Sequence, residues 1–310
     1  MKQIVVLSGK GGTGKTTVAA ALAPLVRRER ALVLADADVD ASNLELLLAP
    51  RVCEEHPFMA GQVAVIDDAV CEACGTCRDT CRFDAVEFPG EDRPGNAYRI
   101  DPIACEGCAA CMHLCPAEAI RMDPLQSGLW FRSDTRYGPL FHARLFAGRE
   151  NSGKLVTLIK QRARDAAIAA GDSLLLVDGP PGIGCPVISA LSGADLAVIV
   201  TEPTIAGVHD LERVLEVSDH FGVPSAVAIN KADLSPANSG KIERFCRDRA
   251  VPLLGRIPYD PEVTDSMIRG VPATESGNNA LSGALKATWD AVGGLLREPK
   301  RLKVESRWAT

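Results

Sequence analysis

Two identical cysteine ladders constrain this chain more than any other feature. Cys71, Cys74, Cys77 and Cys81 form one, and Cys105, Cys108, Cys111 and Cys115 repeat it 34 residues later, each spaced C-x2-C-x2-C-x3-C. The two-residue gaps let three sulfurs from one short loop converge on a face of an iron–sulfur cube, so each ladder reads as ligands for a 4Fe-4S cluster. Zinc is the competing use, but it draws four ligands in separated pairs and suits two complete runs of four less well. Disulfides need an oxidising compartment. Nothing here points to one, because Ile4-Val5-Val6-Leu7 leads into a glycine loop and not into a cleavage site. The other three cysteines, Cys53, Cys185 and Cys246, are expected as small buried apolar residues.

The doubled ladder resembles a bacterial two-cluster ferredoxin, in which the fourth cysteine of each run serves the other cluster. The resemblance implies one 4Fe-4S cluster on Cys71, Cys74, Cys77 and Cys115 and another on Cys105, Cys108, Cys111 and Cys81. Pro116 follows the last ligand as that pattern asks, whereas Arg82 stands at the matching place in the first run. Residues 62–123 are therefore expected as an inserted domain, its halves separated by residues 89–95. This stretch carries twelve Asp/Glu and five Arg without a lysine, net −7 of a whole-chain charge of −6. Such a face repels nucleic acid and suits a basic redox partner, with a merely solvated surface as the alternative.

The chain has 310 residues, enough for one large and one small domain. No apolar run reaches the roughly 18 residues of a spanning helix, so the expectation is a cytoplasmic chain without a membrane partner.

Gly9-Lys10-Gly11-Gly12-Thr13-Gly14-Lys15-Thr16 fits G-x-x-x-x-G-K-[ST] between an apolar strand and an alanine-rich helix, Val18 to Leu25. Backbone N–H groups of such a loop cradle phosphates, with Gly9, Gly11, Gly12, Thr13, Gly14, Lys15, Thr16 and Thr17 as the binding set. Lys15 is expected on the terminal phosphates and Thr16 on magnesium.

Lys10, directly after the first glycine, resembles the deviant phosphate loop of the MinD/Mrp class of ATPases, related to the nitrogenase iron protein. The resemblance implies a lysine that reaches the phosphates held by a partner subunit, and therefore a homodimer or a heterodimer with a sister ATPase. It extends along most of the chain. Asp36 to Leu44 looks like the first switch, with Asp38 placing the attacking water near magnesium and Asp36 bracing the loop. Asp178, ending the run Leu174–Val177 before Gly179-Pro180-Pro181-Gly182, looks like the second, holding magnesium through water. Asn230-Lys231-Ala232-Asp233 has the N-K-x-D form that reads a base edge, so Asn230 and Asp233 are base contacts; ATP is favoured on family grounds and GTP is the alternative. Cys185, seven residues after Asp178, stands where the nitrogenase iron protein bridges a cluster between subunits, but it lacks a second cysteine of that pair.

Strands alternate with helices through 1–50 and 152–295, which predicts an α/β fold: a mainly parallel, doubly wound sheet with helices on both faces, interrupted by an α+β ferredoxin-like insertion. The expected division is 1–61 and 124–297 for the ATPase, 62–123 for the insertion and 298–310 for a disordered tail. Residues 127–146 are expected as a hairpin or extended return path. The combination implies an ATPase whose dimer switching is coupled to electron transfer through two 4Fe-4S clusters, with ATP/ADP and Mg2+ as further cofactors. A metallocluster carrier of the Mrp type is the alternative, weakened by the lack of a C-terminal C-x-x-C. A redox-sensing positioning ATPase is the third reading.

Overall fold

The computed structural model describes residues 1–88, 97–149, 152–277 and 279–297. The separating segment 89–95 and the tail 298–310 lie outside them. The strands are β1 Lys2–Ser8, β2 Ala31–Asp36, β3 Arg51–Ile66, β4 Val86–Glu87, β5 Arg99–Ile100, β6 Ile120–Asp134, β7 Pro139–Leu145, β8 Ser173–Pro181, β9 Leu196–Thr201, β10 Ser225–Asn230 and β11 Leu253–Ile257. The α-helices are α1 Lys15–Arg27, α2 Leu44–Leu48, α3 Thr76–Thr80, α4 Ala110–His113, α5 Ser152–Ala169, α6 Cys185–Leu191, α7 Ile205–His220, α8 Pro236–Asp248, α9 Glu262–Ile268 and α10 Asn279–Arg297.

The chain divides into two compact units. The first comprises Met1–Glu55, Trp130–Arg144 and Ser152–Thr310; the second comprises His56–Leu129 and Leu145–Asn151. The second is wider than 62–123. The reason lies in β3 and β6, which run on as unbroken strands past both expected boundaries.

The large sheet has the order β11-β10-β9-β1-β8-β2-β7-β6-β3. β1 pairs in parallel with β8 and β9, β10 with β9 and β11, and β2 with β8 and β7. Strands covered on both faces have no solvent side on which to place polar residues, which is why Ile4–Leu7 and Leu174–Val177 are unbroken apolar runs. All eight of those side chains are fully buried. α1 covers one face through Val18, Leu22 and Val26, packed with Leu34, Leu44, Leu48, Leu285 and Trp289 in one core. The aromatic stretch 127–146 forms the end of β6 and then β7. They are neighbours in the sheet, joined at a turn where the Thr135 hydroxyl accepts from the N–H of Tyr137 and of Gly138 at 3.1 and 3.2 Å.

In the second unit β4 pairs antiparallel with β5, and Ala64, Cys77, Val86 and Ile120 form a small core. Its two ladders repeat one backbone pattern. Ala73 and Gly107, two residues after each first cysteine, have φ of 54° and 65°; Gly75 and Ala109, one after each second, have 84° and 62°; Asp84 and Glu118, three after each fourth, have 50° and 53°. Three left-handed residues at matching places curl each loop around its cysteines, and α3 and α4 begin directly after the second pair. Gly107 is fixed by space as well, because a Cβ there would lie 2.3 Å from the Gln62 carbonyl oxygen.

Candidate functional site

The glycine loop leaves β1 and enters α1 at Gly14, whose φ is 92°. A side chain is excluded there, since a Cβ would stand 2.2 Å from Asn230 Nδ2. That amide instead donates to the Thr13 carbonyl at 2.8 Å. Asn230 therefore fastens the loop from below, and Asp233, on the surface, accepts from the Tyr259 N–H at 2.6 Å.

Lys15 is buried, its ammonium 2.7 Å from Asp38 Oδ2. Burial works against its charge, but Asp178, Asp38 and Asp36 together hold its pKa above the ordinary lysine value. Asp36 and Asp178 stand in register on adjacent strands, both fully buried. Burial pushes the Asp36 carboxyl up to about 6, although it accepts from the Ser42 hydroxyl at 2.7 Å, the Leu44 N–H at 3.0 Å and the Asp38 N–H at 3.1 Å. Asp36 thus braces the loop that follows it, at both ends. Asp40 is exposed overall, and partial burial together with the Asp38 charge raises its pKa.

Asp178 is pushed further, to about 8, by burial first, opposed by Lys15 and reinforced by Asp36. Neither of its carboxylate oxygens has a hydrogen-bond partner among the described residues, and the same holds for the buried Thr13 hydroxyl. Buried polar groups without partners are rare in folded proteins and mark places where something else is bound. Asp178, Thr13 and Thr16 therefore fit a magnesium–phosphate ligand. Thr16 sits at the start of α1 and favours the charged form of Asp178. The Ala37 N–H donates to the Asp178 carbonyl at 2.7 Å, which ties the ends of β2 and β8 together.

Lys10 does not reach toward Lys15. Its ammonium lies 2.7 Å from Glu202 Oε1, and Lys231 Nζ lies 3.3 Å from Glu202 Oε2 while donating to the Gly12 carbonyl at 3.0 Å. Lys231 adopts φ 53°, which folds it back over the loop. Sequence reasoning missed Glu202, because a lone glutamate between Thr201 and Pro203 carries no motif. It also missed a chain of contacts leaving the first switch. Glu45, in the first turn of α2, has Oε2 3.3 Å from His142 Nδ1, and His142 Nε2 lies 2.9 Å from the Ser133 hydroxyl. Burial lowers the His142 pKa against the pull of Glu45. A neutral ring with its proton on Nδ1 meets both partners.

In the second unit the cysteines line two cavities. Cys71, Cys74, Cys77 and Cys115 line one with Ile66, Tyr98 and Ile120; Cys81, Cys105, Cys108 and Cys111 line the other with Phe83, Val86 and Met122. Each cavity takes its fourth thiol from the other ladder. Burial raises the Cys77 and Cys111 thiols, which occupy the same place in the two ladders, whereas the Thr76 hydroxyl holds Cys74 down. Among the described residues no group of three or more His, Cys, Asp or Glu is drawn together closely enough for one metal ion. The thiols of each cavity surround a space lined mainly by apolar side chains. That donor set, four thiols around an apolar cavity, fits a cluster with several irons.

Of the three remaining cysteines only Cys246 is buried. Cys53 is exposed because β3 is the outermost strand of the sheet, and Cys185 because α6 buries Val187, Ala190 and Leu191, a face its first residue does not share. Among the described residues no helix is long and apolar enough to cross a membrane.

The sequence matches the CobQ/CobB/MinD/ParA nucleotide binding domain over residues 4–273. An uncharacterised protein of Methanocaldococcus jannaschii is 34% identical over 290 residues, 94% of this chain and 96% of that one. The septum site-determining protein MinD of Pyrococcus horikoshii, solved with Mg-ADP, has the same fold with a TM-score of 0.60 at 19% identity, covering 96% of this chain and 98% of that one. The MinD of the MinC:MinD cell division complex from Aquifex aeolicus gives 0.58 at 20% identity, covering 95% and 96%.

Proposed function

The chain belongs to the CobQ/CobB/MinD/ParA nucleotide-binding family and is an ATPase of the MinD/ParA type; from that premise we propose that it couples ATP-driven dimer switching to electron transfer through two 4Fe-4S clusters. The observation that carries the reading is the crossed grouping of eight thiols around two cavities, in a unit that the chain enters along β3 and leaves along β6. Bound in those cavities, the clusters would supply one-electron redox chemistry.

The residues of the phosphate site act as a switch. An arriving terminal phosphate competes with Asp38 for Lys15, so the 2.7 Å pair opens and Asp38 becomes free to orient a water. Thr16, Asp38 and Asp178 would hold magnesium, which neutralises phosphate charge. Asp36 keeps its bonds to Ser42 and Leu44, so displacement at Asp38 passes along the loop to α2 and its Glu45. Glu45 bears on His142, and His142 on Ser133 of β6, the strand whose earlier residues belong to the cysteine unit. Lys10 acts on the phosphates of a second copy, which makes dimerisation part of hydrolysis, and the acidic cysteine unit receives a basic redox partner.

The test is electron transfer from anaerobically reconstituted protein to an acceptor, with and without ATP. A rate that rises with ATP and stays flat with a non-hydrolysable analogue supports the coupling. Equal rates in all arms reject it.

A further inference from the structure

Glu202 follows β9 directly and precedes the Thr204 cap of α7. Its carboxylate collects two ammonium groups brought from far apart in sequence, Lys10 at 2.7 Å and Lys231 at 3.3 Å. The two lysines are held unequally. Lys231 also donates to the Gly12 carbonyl and stays anchored to the loop by it. Lys10 is 35% exposed against 14% for Glu202, so the Lys10 pair has one end shielded in the protein and one end able to swing into solvent. Burial alone would raise the Glu202 carboxyl, yet the hydrogen bonds from Lys10 and Lys231 bring it below its usual value, and it stays charged near neutrality.

We infer that Glu202 is a positioning residue that parks Lys10 on its own chain, and that breaking this pair is a step in bringing two copies together around nucleotide. The inference rests on the reading that Lys10 acts on a second copy. An isolated chain then carries a built-in brake: its mobile lysine is engaged until a partner's phosphates offer a stronger counter-charge. Two lysines on one carboxylate leave the pair with a surplus positive charge, so the exchange trades one anion for another without exposing Lys10 unpaired.

The test is the specific rate of ATP hydrolysis by the full chain as a function of protein concentration. Wild type should climb to a plateau as dimers form. Glu202→Gln should reach half its plateau at about fivefold lower protein concentration, because each dimer gives up two partly exposed ion pairs of about 0.5 kcal/mol each. Glu202→Asp, which keeps the charge but shortens the reach, should fall between them. Faster turnover in dilute protein is a gain that structural damage does not produce. Half-points unchanged or raised in both variants overturn the inference. Lys10→Ala separates the two claims. If it matches wild type at every concentration, the action of Lys10 on a second copy is wrong. If it is slow while the half-point ignores Glu202, only the parking role fails. The double variant Lys10→Ala with Glu202→Gln should be no faster than Lys10→Ala.

Discussion

The two units hold chemically demanding groups by opposite means. In the phosphate-site unit, Lys15, Asp36 and Asp178 come from three separate elements of one buried sheet-and-helix layer, where Asp178, Asp38 and Asp36 favour the charged form of Lys15 against its burial. In the cysteine unit, three of the four thiols around each cavity come from one short loop, beside a small core cluster of Ala64, Cys77, Val86 and Ile120 and a two-stranded sheet with strands two residues long. Folds with so little apolar core depend on cross-links or metals for their stability. The first unit should therefore keep its shape by packing alone, and the second should keep it only with its cavities filled.

Lys15→Ala puts the first half of that contrast under the greatest load. It strips the one cation from among three buried carboxyls as well as from the phosphates, and hydrolysis should fall by about 100-fold or more. Iron content measured on the same preparation should not change. Parallel loss of iron would mean that the cysteine unit leans on the phosphate site after all.

Cys77→Ser probes the other half. It should leave about four of about eight irons per chain and open His56–Leu129 to limited proteolysis, while nucleotide still binds in a fluorescence titration. Cys81→Ser should remove the cluster of Cys105, Cys108 and Cys111 and spare that of its own ladder; the reverse would break the crossed grouping.

The smallest effect sharpens the account of the buried charges. In the folded chain Asp178 gives up its proton only near pH 8, whereas in the unfolded chain it does so near 4. Between these values the folded state binds more protons, so nucleotide-free stability should fall as pH rises from about 4 toward 8. Asp178→Asn should flatten that slope and raise the melting temperature most at the alkaline end, read by thermal unfolding across pH. A stability that rises over the same window would show that Lys15 keeps Asp178 ionised.

Much of this was written plainly in the residues. Ile4–Leu7 and Leu174–Val177 announce buried parallel strands because nothing polar interrupts them, and the cysteine ladders announce their loops by spacing. What stayed hidden depends on approach between distant segments. Glu202 meets Lys10 only because β9 lies beside β1, and no local pattern encodes that. The Asn230 amide holds the Thr13 carbonyl because β10 ends directly beneath the loop, an approach that its four-residue motif does not encode. Cys53 was expected inside because cysteine is usually buried; its place on an outermost strand overrides that tendency. The cysteine pattern carries no signal of where the second unit meets the first, because β6 continues to Asp134 without a change of backbone.

That last strand has a consequence for how such a chain can be altered. Successive side chains of a strand point to opposite faces, so removing one residue between Ile120 and Leu129 would reverse the facing of the residues before the gap relative to Trp130 and Ser133, while removing two would preserve it. Lineages that trim or lengthen this junction should therefore do so in pairs of residues, and anyone grafting the cysteine segment into another scaffold must count the splice by parity before choosing its site.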